Sequence, residues 1–251
     1  MIPLIGTLLS GLLLSQSAPD ASPATAPSST ATLRAAAELV QLGVRLQRDG
    51  QGAIKGLEAS DGRLDDASLR WVGALSDLES LDLSGGVISA AGLAEIGRLA
   101  KLQKLYLKDI QLSDKSLAFL RKLPALRVLV LQNANLDGSG LVHLEGLRDL
   151  EVLNLAHNLI SDKALASVQG LTQINTLVLQ NTLVTDLGLG HLKPLKKLRV
   201  LNLSDCRITD EGLPHLQEHK SLRMLYLHGC NVTESRIDEF NSQISGLAIY
   251  Y

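Results

Sequence analysis

The feature that most constrains this chain is a period. Ile54, Leu78, Leu102, Leu126, Leu150, Ile174, Leu198 and Leu222 stand 24 residues apart without an insertion, and each opens a phrase close to L-x-x-L-x-L. Leu198–Ser221, LRVLNLSDCRITDEGLPHLQEHKS, is the clearest copy. A fixed period of this length means one supersecondary unit stacked on itself, each turn packing only on its neighbours. The chain is therefore expected to form one elongated body.

Within each unit the first residue and those 3, 5, 10, 15, 18 and 21 further on are expected to face a shared core; in Leu126–Asp149 these are Leu126, Leu129, Leu131, Leu136, Leu141, Leu144 and Leu147. Across the eight units these positions are aliphatic, Ala or Phe, except for His219 and Gln243. Burying each leucine contributes roughly 1.5–3 kcal/mol, so the sum opposes the large entropy cost of ordering the chain. His219 and Gln243 share one column in the last two units. They read as the end of the stack, where water reaches the core seam.

The L-x-x-L-x-L phrase predicts a short parallel strand whose first, fourth and sixth residues point inward and whose alternate residues form a concave face. A helical return is marked eleven residues into each unit by Asp65, Ser89, Ser113, Asp137, Ser161, Thr185, Thr209 and Thr233, side chains able to accept from the open N–H groups of a first helical turn. Acidic residues follow at Asp66, Asp114, Asp162, Asp186, Asp210 and Glu234, where they suit the helix dipole. Three residues past the cap the column is small (Ser68, Gly92, Ser116, Gly140, Ala164, Gly188, Gly212), which is expected to let convex segments pack closely. The fold class is thus α/β: a solenoid of about eight repeats, with a curved parallel β-sheet on the concave face and helical segments on the convex face.

The flanks read differently. Met1–Ser17 carries an apolar run from Leu4 to Leu14, followed by Ser15-Gln16-Ser17-Ala18, the pattern of a secretory signal without a basic start. The run is short for a membrane span. Export with cleavage is the leading expectation, with an uncleaved N-terminal anchor or a misassigned start as alternatives. Residues 18–32 form a Pro/Ala/Ser/Thr tether with nothing large to bury. Residues 33–50 predict a capping helix, with Leu33, Ala36, Val40 and Val44 joined by Leu39, Leu42 and Leu46 on its apolar face, Thr32 as N-cap and Gly50 as the stop. The repeat domain fills 54–251, and Ile244–Ile249 reads as a last strand covering the sheet edge.

Composition narrows function. Lys and Arg number 24 against 26 Asp and Glu, and aromatic residues make up 3%, which argues against a nucleic-acid partner. Cys206 and Cys230 are too few for a disulfide framework or a cysteine-based zinc site. They read as two buried free thiols. A bridge between them stays open, because stacked strands lie about 4.8 Å apart, near the lower end of bridged Cα separations.

With Leu198-Arg-Val-Leu201-Asn-Leu203, Cys206 and Ile208-Thr209-Asp210-Glu211-Gly212-Leu213 in view, the chain resembles leucine-rich repeat proteins of the cysteine-containing and ribonuclease-inhibitor-like classes, over about 54–251. In these classes the position eight after the first leucine takes Asn, Cys or Thr, whose polar atoms meet loop backbone; here it reads Gly62, Gly86, Ile110, Ala134, Asn158, Thr182, Cys206, Cys230. The I-T-D-x-G-L phrase is similar to that in F-box leucine-rich proteins and in exported bacterial repeat proteins. The resemblance implies protein binding. It also raises substrate recognition for a ubiquitin ligase as an alternative, although only one short helix precedes the repeats.

Three functions follow as expectations. The first is a non-catalytic interaction module binding a protein partner through the concave face, at Tyr106, Val128, Val130, Val152, Asn154, Val178, Val200, Asn202 and Tyr226, the valines forming an outward apolar patch between two tyrosine anchors. The second is an enzyme or metal protein. His143, His191 and His215 share a column, but two neighbouring imidazoles lack the further ligands zinc requires, and no G-x-S-x-G, H-E-x-x-H or phosphate loop is present. No cofactor, metal or catalytic residue is expected. The third is a purely structural scaffold of the cell envelope. Localisation is expected to be periplasmic, surface-bound or secreted, with no stable membrane insertion once the signal is removed.

Overall fold

The computed structural model describes residues 30–60 and 62–251. The expected signal segment, and the tether as far as residue 29, lie outside the described residues. The rest is one sheet whose ten strands lie in chain order: β1 (Arg45–Arg48), β2 (Ile54–Glu58), β3 (Ser80–Asp82), β4 (Lys104–Tyr106), β5 (Val128–Val130), β6 (Val152–Asn154), β7 (Thr176–Val178), β8 (Val200–Asn202), β9 (Met224–Tyr226) and β10 (Ala248–Tyr250). From β2 to β10 every pairing is parallel, and from β2 to β9 each step advances the register by one 24-residue unit, as in Leu129 opposite Leu153 and Leu177 opposite Leu201. Such a ladder follows from a repeat without insertions: identical side chains come into line, and a slip of one residue would turn them all outward.

The spine behind this sheet is continuous. Leu57, Leu81, Leu105, Leu129, Leu153, Leu177, Leu201 and Leu225 are sealed from solvent, as are the leucines that open most units. His219 is sealed too, contrary to the expectation of a wet seam. Its Nε2 lies 3.0 Å from the Leu192 carbonyl oxygen of the preceding turn, so the imidazole fills a leucine position while bonding to backbone. Gln243, in the next unit, is exposed at the end of the stack.

The N-terminal cover departs from the predicted helix. The helix runs Thr30–Gln41, beginning three residues inside the stretch assigned to the tether, and it buries Ala35, Ala36 and Leu39. Leu33 and Val40, placed on its inner face by periodicity, are each 57% exposed. The small alanines allow a close approach to the first unit that the larger side chains would prevent. Gly43, at φ 77°, ends the helix, and β1 then pairs antiparallel with β2. The strand therefore pairs with the edge of β2 while the helix covers the end of the core. At the other end β10 covers β9, as expected.

The convex returns change type along the chain. Asp66–Gly73 and Ala90–Ile96 are α-helical, whereas Asp114–Lys122 and Ser139–Leu144 are 3-10 segments. The acidic column does more here than oppose helix dipoles. Each aspartate reaches forward to the cap of the next unit. Asp162 accepts from the Thr185 N–H and hydroxyl at 2.8 and 2.7 Å, and Asp210 accepts from the same two groups of Thr233 at 2.8 and 2.9 Å. Asp66 serves Ser89 in the same way, and Asp114 takes the N–H groups of Asp137, Gly138 and Gly140.

The small column is explained by these carboxylates. A Cβ added at Gly92, Gly188 or Gly212 would fall on the aspartate oxygen of the preceding unit. The close packing expected there is real, and what packs is a carboxylate.

Candidate binding face

The polar column past the strands forms a second ladder, on the inner side of the ascending loops. Asn158 is sealed and fully used: its Oδ1 accepts from the Ala134 and Leu136 N–H groups, and its Nδ2 donates to the Leu131, Leu155 and Ala156 carbonyls. The Thr182 hydroxyl donates to Leu179 O at 2.7 Å, the Cys206 thiol to the same oxygen at 3.0 Å, and the Cys230 thiol to Leu203 O at 3.1 Å. Both cysteines are free, Cys206 buried and Cys230 half-buried. Burial pushes both thiols up, that of Cys230 to about 11.

One residue earlier in each unit lies a column that apolar periodicity does not single out. Gly85, Asp109, Asn133, His157, Asn181, Asp205 and Gly229 all have positive φ, between 51° and 74°. From β3 to β9 the chain leaves each strand through a left-handed residue, a conformation that Gly, Asn, Asp and His tolerate best. Their side chains also join along the loops: Asn133 Nδ2 donates to Asp109 Oδ1 at 2.8 Å, and Asn181 Nδ2 lies 3.0 Å from His157 Nδ1.

On the concave face the nine expected contact residues all point outward, as strand alternation requires, but few are open. Val128, Val130 and Val152 pack against one another and against half-buried Tyr106, leaving 3%, 7% and 7% of each valine exposed. Val178 is equally covered. Strands about 4.8 Å apart on an inward curve crowd their side chains together, so an outward position is not an exposed one. Val200 and Tyr226 remain half-open.

Each of the two asparagines accepts from the backbone of its own unit, and Asn154 Nδ2 also donates to Gln132 Oε1 of the preceding unit at 3.4 Å. Asn154 Oδ1 accepts from Ala156 N–H, and Asn202 Oδ1 from Ser204 N–H, both at 2.9 Å. Asn202 Nδ2 and Ser204 Oγ, both buried, have no hydrogen-bond partner among the described residues.

At the C-terminal end Tyr250 stacks on Tyr226, with ring centroids 4.7 Å apart and planes 12° from parallel. Burial raises the Tyr226 phenol above its ordinary value, and the neighbouring Tyr250 adds to the effect. Tyr250 is absent from the nine expected contact residues, although its match to Tyr226 is readable from the 24-residue spacing alone.

Along the N-terminal edge of the strands runs a trough of about 550 Å³, lined by Arg127, Glu151, Gln173, Asn175, Lys197, Arg199, Ser221 and Arg223. Here Arg127 pairs with Glu151 at 2.6 Å, and nearer the N-terminus Lys55 pairs with Glu79 at 2.7 Å.

The convex histidines stay apart from any such feature. His191 Nδ1 lies 2.7 Å from Gln169 Nε2, and burial lowers the pKa of His143, with Arg121 adding to the shift. Among the described residues no group of three or more His, Cys, Asp or Glu side chains is placed to hold a metal ion.

Short parallel strands, left-handed loop residues and returning helical turns, repeated on a polar and leucine spine, define a solenoid of the strand-and-helix type. The fold is that of leucine-rich repeat proteins. A family model described as "Leucine Rich repeat" matches residues 74–97 and 195–213. No curated protein sequence matches.

Among solved structures, internalin C2 of Listeria monocytogenes is similar with a TM-score of 0.67 and 22% identity, over 88% of this chain and 92% of that one. The ectodomain of the Arabidopsis receptor kinase HAESA, in complex with an N-terminally extended IDA peptide hormone ligand, is similar with a TM-score of 0.64 and 21% identity. That likeness covers 88% of this chain but 41% of the ectodomain. At these identities the likeness is one of fold.

Proposed function

We propose that the chain is a non-catalytic interaction module that holds a protein partner against the concave side of its sheet. The observation that carries this reading is the half-open end of that face. There Val200, Tyr226 and the stacked Tyr250 stand beside the trough, with the packed Val128, Val130, Val152 and Val178 as floor. Aromatic side chains on a rigid sheet offer contact area at little entropic cost. Tyr106 closes the floor on the other side, and Asn154 and Asn202 set the backbone beneath. The receptor ectodomain of the same fold, solved with a peptide hormone ligand, supports this use of the surface by analogy.

An exported location is part of the proposal. It rests on the apolar run Leu4–Leu14 and the small residues after it; among the described residues no helix is long and apolar enough to cross a membrane. A photo-crosslinking residue placed at Tyr226 and, separately, at exposed Glu145 on the convex side tests the reading. The expected result is capture of the same discrete protein from Tyr226 and not from Glu145. Capture from Glu145 alone, with none from Tyr226, would reject the concave face.

A further inference from the structure

The charges beside the strands are not evenly matched. The residues immediately preceding strands β3 to β9 are Glu79, Gln103, Arg127, Glu151, Asn175, Arg199 and Arg223, with Lys55 one unit before Glu79. They form a continuous backbone ladder in which each N–H donates to the carbonyl of the corresponding residue one unit earlier, as in Arg199 N–H to Asn175 O and Arg223 N–H to Arg199 O, both at 2.8 Å. Within the first five units opposite charges meet across one step at two places, Lys55 with Glu79 and Arg127 with Glu151. In the last units two arginines meet instead.

Arg199 makes no ion pair among the described residues, and Arg223 spends one guanidinium nitrogen on the Lys220 and Leu222 carbonyls. Lys197, next to them, reaches only the neutral Gln173. All three are exposed. Two like charges one strand spacing apart repel, and nothing in the fold requires them there.

One step further along each strand the same units present Val200 and Met224, half-buried, and then Tyr226 against Tyr250. Basic and apolar rows therefore run side by side across the end of the sheet. We infer that this end of the trough binds an extended protein segment that carries carboxylates along one edge and apolar side chains along the other. The carboxylates meet Lys197, Arg199 and Arg223, and the apolar side chains lie on Val200, Met224 and the Tyr226–Tyr250 pair. From Arg127 to Arg223 the trough crosses four steps of about 4.8 Å, the reach of an extended segment of about six residues. An anionic polysaccharide would satisfy the arginines but leave the apolar row uncovered. The inference names the partner class for the concave reading and rests on it.

The test uses the full chain and a fluorescein-labelled peptide of alternating Glu and Leu, with alternating Lys and Leu, alternating Glu and Gln, and heparin as comparators. Fluorescence anisotropy should show the Glu/Leu peptide binding best, and the Lys/Leu peptide not at all. Affinity should weaken with added salt and fall at least about tenfold in Arg199→Glu/Arg223→Glu, with a smaller fall in Arg199→Gln/Arg223→Gln. Both pairs are solvent-facing, and a urea midpoint within error of the parent confirms the fold. Equal binding by the folded charge-reversed chain would overturn the inference, as would tight heparin binding with no peptide bound. If Tyr226 crosslinks a partner whose capture is unaffected by the arginine reversal, the concave reading stands and the acidic-segment inference alone fails.

Discussion

The Asp186 carboxylate accepts from both the backbone N–H and the hydroxyl of Thr209, at 2.9 and 2.6 Å, one unit further along the solenoid. The room for that reach is the missing side chain of Gly212, whose Cβ would fall on Asp186 Oδ1 and press on Ile208 Cγ2 at 3.0 Å and Leu189 Cδ1 at 3.1 Å. Cap, carboxylate and glycine therefore work as one joint between turns. Where the acid is missing the joint is looser: Ser113 follows a unit with Ala90 at that place, and Ser161 follows one with Gly138, so neither serine meets a carboxylate there, and neither side chain caps its helix.

This joint makes a double-mutant prediction. Asp186→Ala should cost about 1–3 kcal/mol, because charge-assisted hydrogen bonds to two donors are lost. Gly212→Ala should cost roughly 1–3 kcal/mol through overpacking. With the carboxylate gone the added methyl has part of its space back, so the double variant should cost less than the sum, by about 0.5–2 kcal/mol. Urea unfolding of the four proteins measures it. Strict additivity would show that the glycine serves some purpose other than admitting Asp186.

Asn158 carries a second prediction. Its amide makes five hydrogen bonds to buried backbone groups spanning two units. Asn158→Leu keeps the branching of the side chain but strands those groups, at about 3–5 kcal/mol. Thr182→Ala, one unit on, loses a single donor to Leu179 O and should cost about 1 kcal/mol. Thermal unfolding of the two variants should separate them clearly, and similar losses would contradict this account of the column.

Much of the fold was legible because it is periodic. Leucines 24 residues apart had one self-consistent arrangement, and the inward positions and the last strand follow from it; of the expected caps, Ser113, Ser161 and Thr233 make no side-chain cap. The face of the N-terminal helix was legible only in part. Periodicity placed Ala36 and Leu39 inward, where they are buried, but it also placed Leu33 and Val40 there and passed over Ala35, because nothing in the helix alone states how near its neighbour will come. Strand β1 was hidden inside the same helical pattern, because Val44 and Leu46 suit either period. On the concave face direction was readable but exposure was not: Val130 points outward and is covered by Val128 and Val152, a consequence of curvature. His219 looked like a polar residue at a wet end because sequence carries no sign of the Leu192 carbonyl waiting for it.

The left-handed column gives a prediction that depends on backbone alone. Asn181 sits at φ 51° with its side chain at the solvent-exposed loop edge. Asn181→Gly should be close to neutral, losing the contact with His157 while easing the conformation. Asn181→Val forces a β-branched residue into that region and should cost about 1–3 kcal/mol. Circular dichroism melts of both variants decide it. A tolerated valine would mean that the loop can flip to another path.

Cys230 supplies a prediction about pH. Its thiol is half-buried, donates to Leu203 O, and is pushed by burial from the ordinary 9.0 to about 11. A raised thiol pKa favours the protonated native state. Its contribution to stability is complete below pH 9, falls as the unfolded chain sheds its proton first, and is exhausted once pH passes about 11. Parent and Cys230→Ser should therefore differ by a constant amount at neutral pH and converge in that alkaline window. Alkylation follows the same populations. Because so little of the folded thiol is ionised at pH 8, Cys230 should react with iodoacetamide about a hundredfold more slowly than an unhindered thiol, and Cys206, 4% exposed, should lag behind it. Rapid labelling of Cys230 at pH 8 in the folded protein would show that its loop opens without global unfolding, and the hydrogen bond to Leu203 could then not be what holds that turn shut.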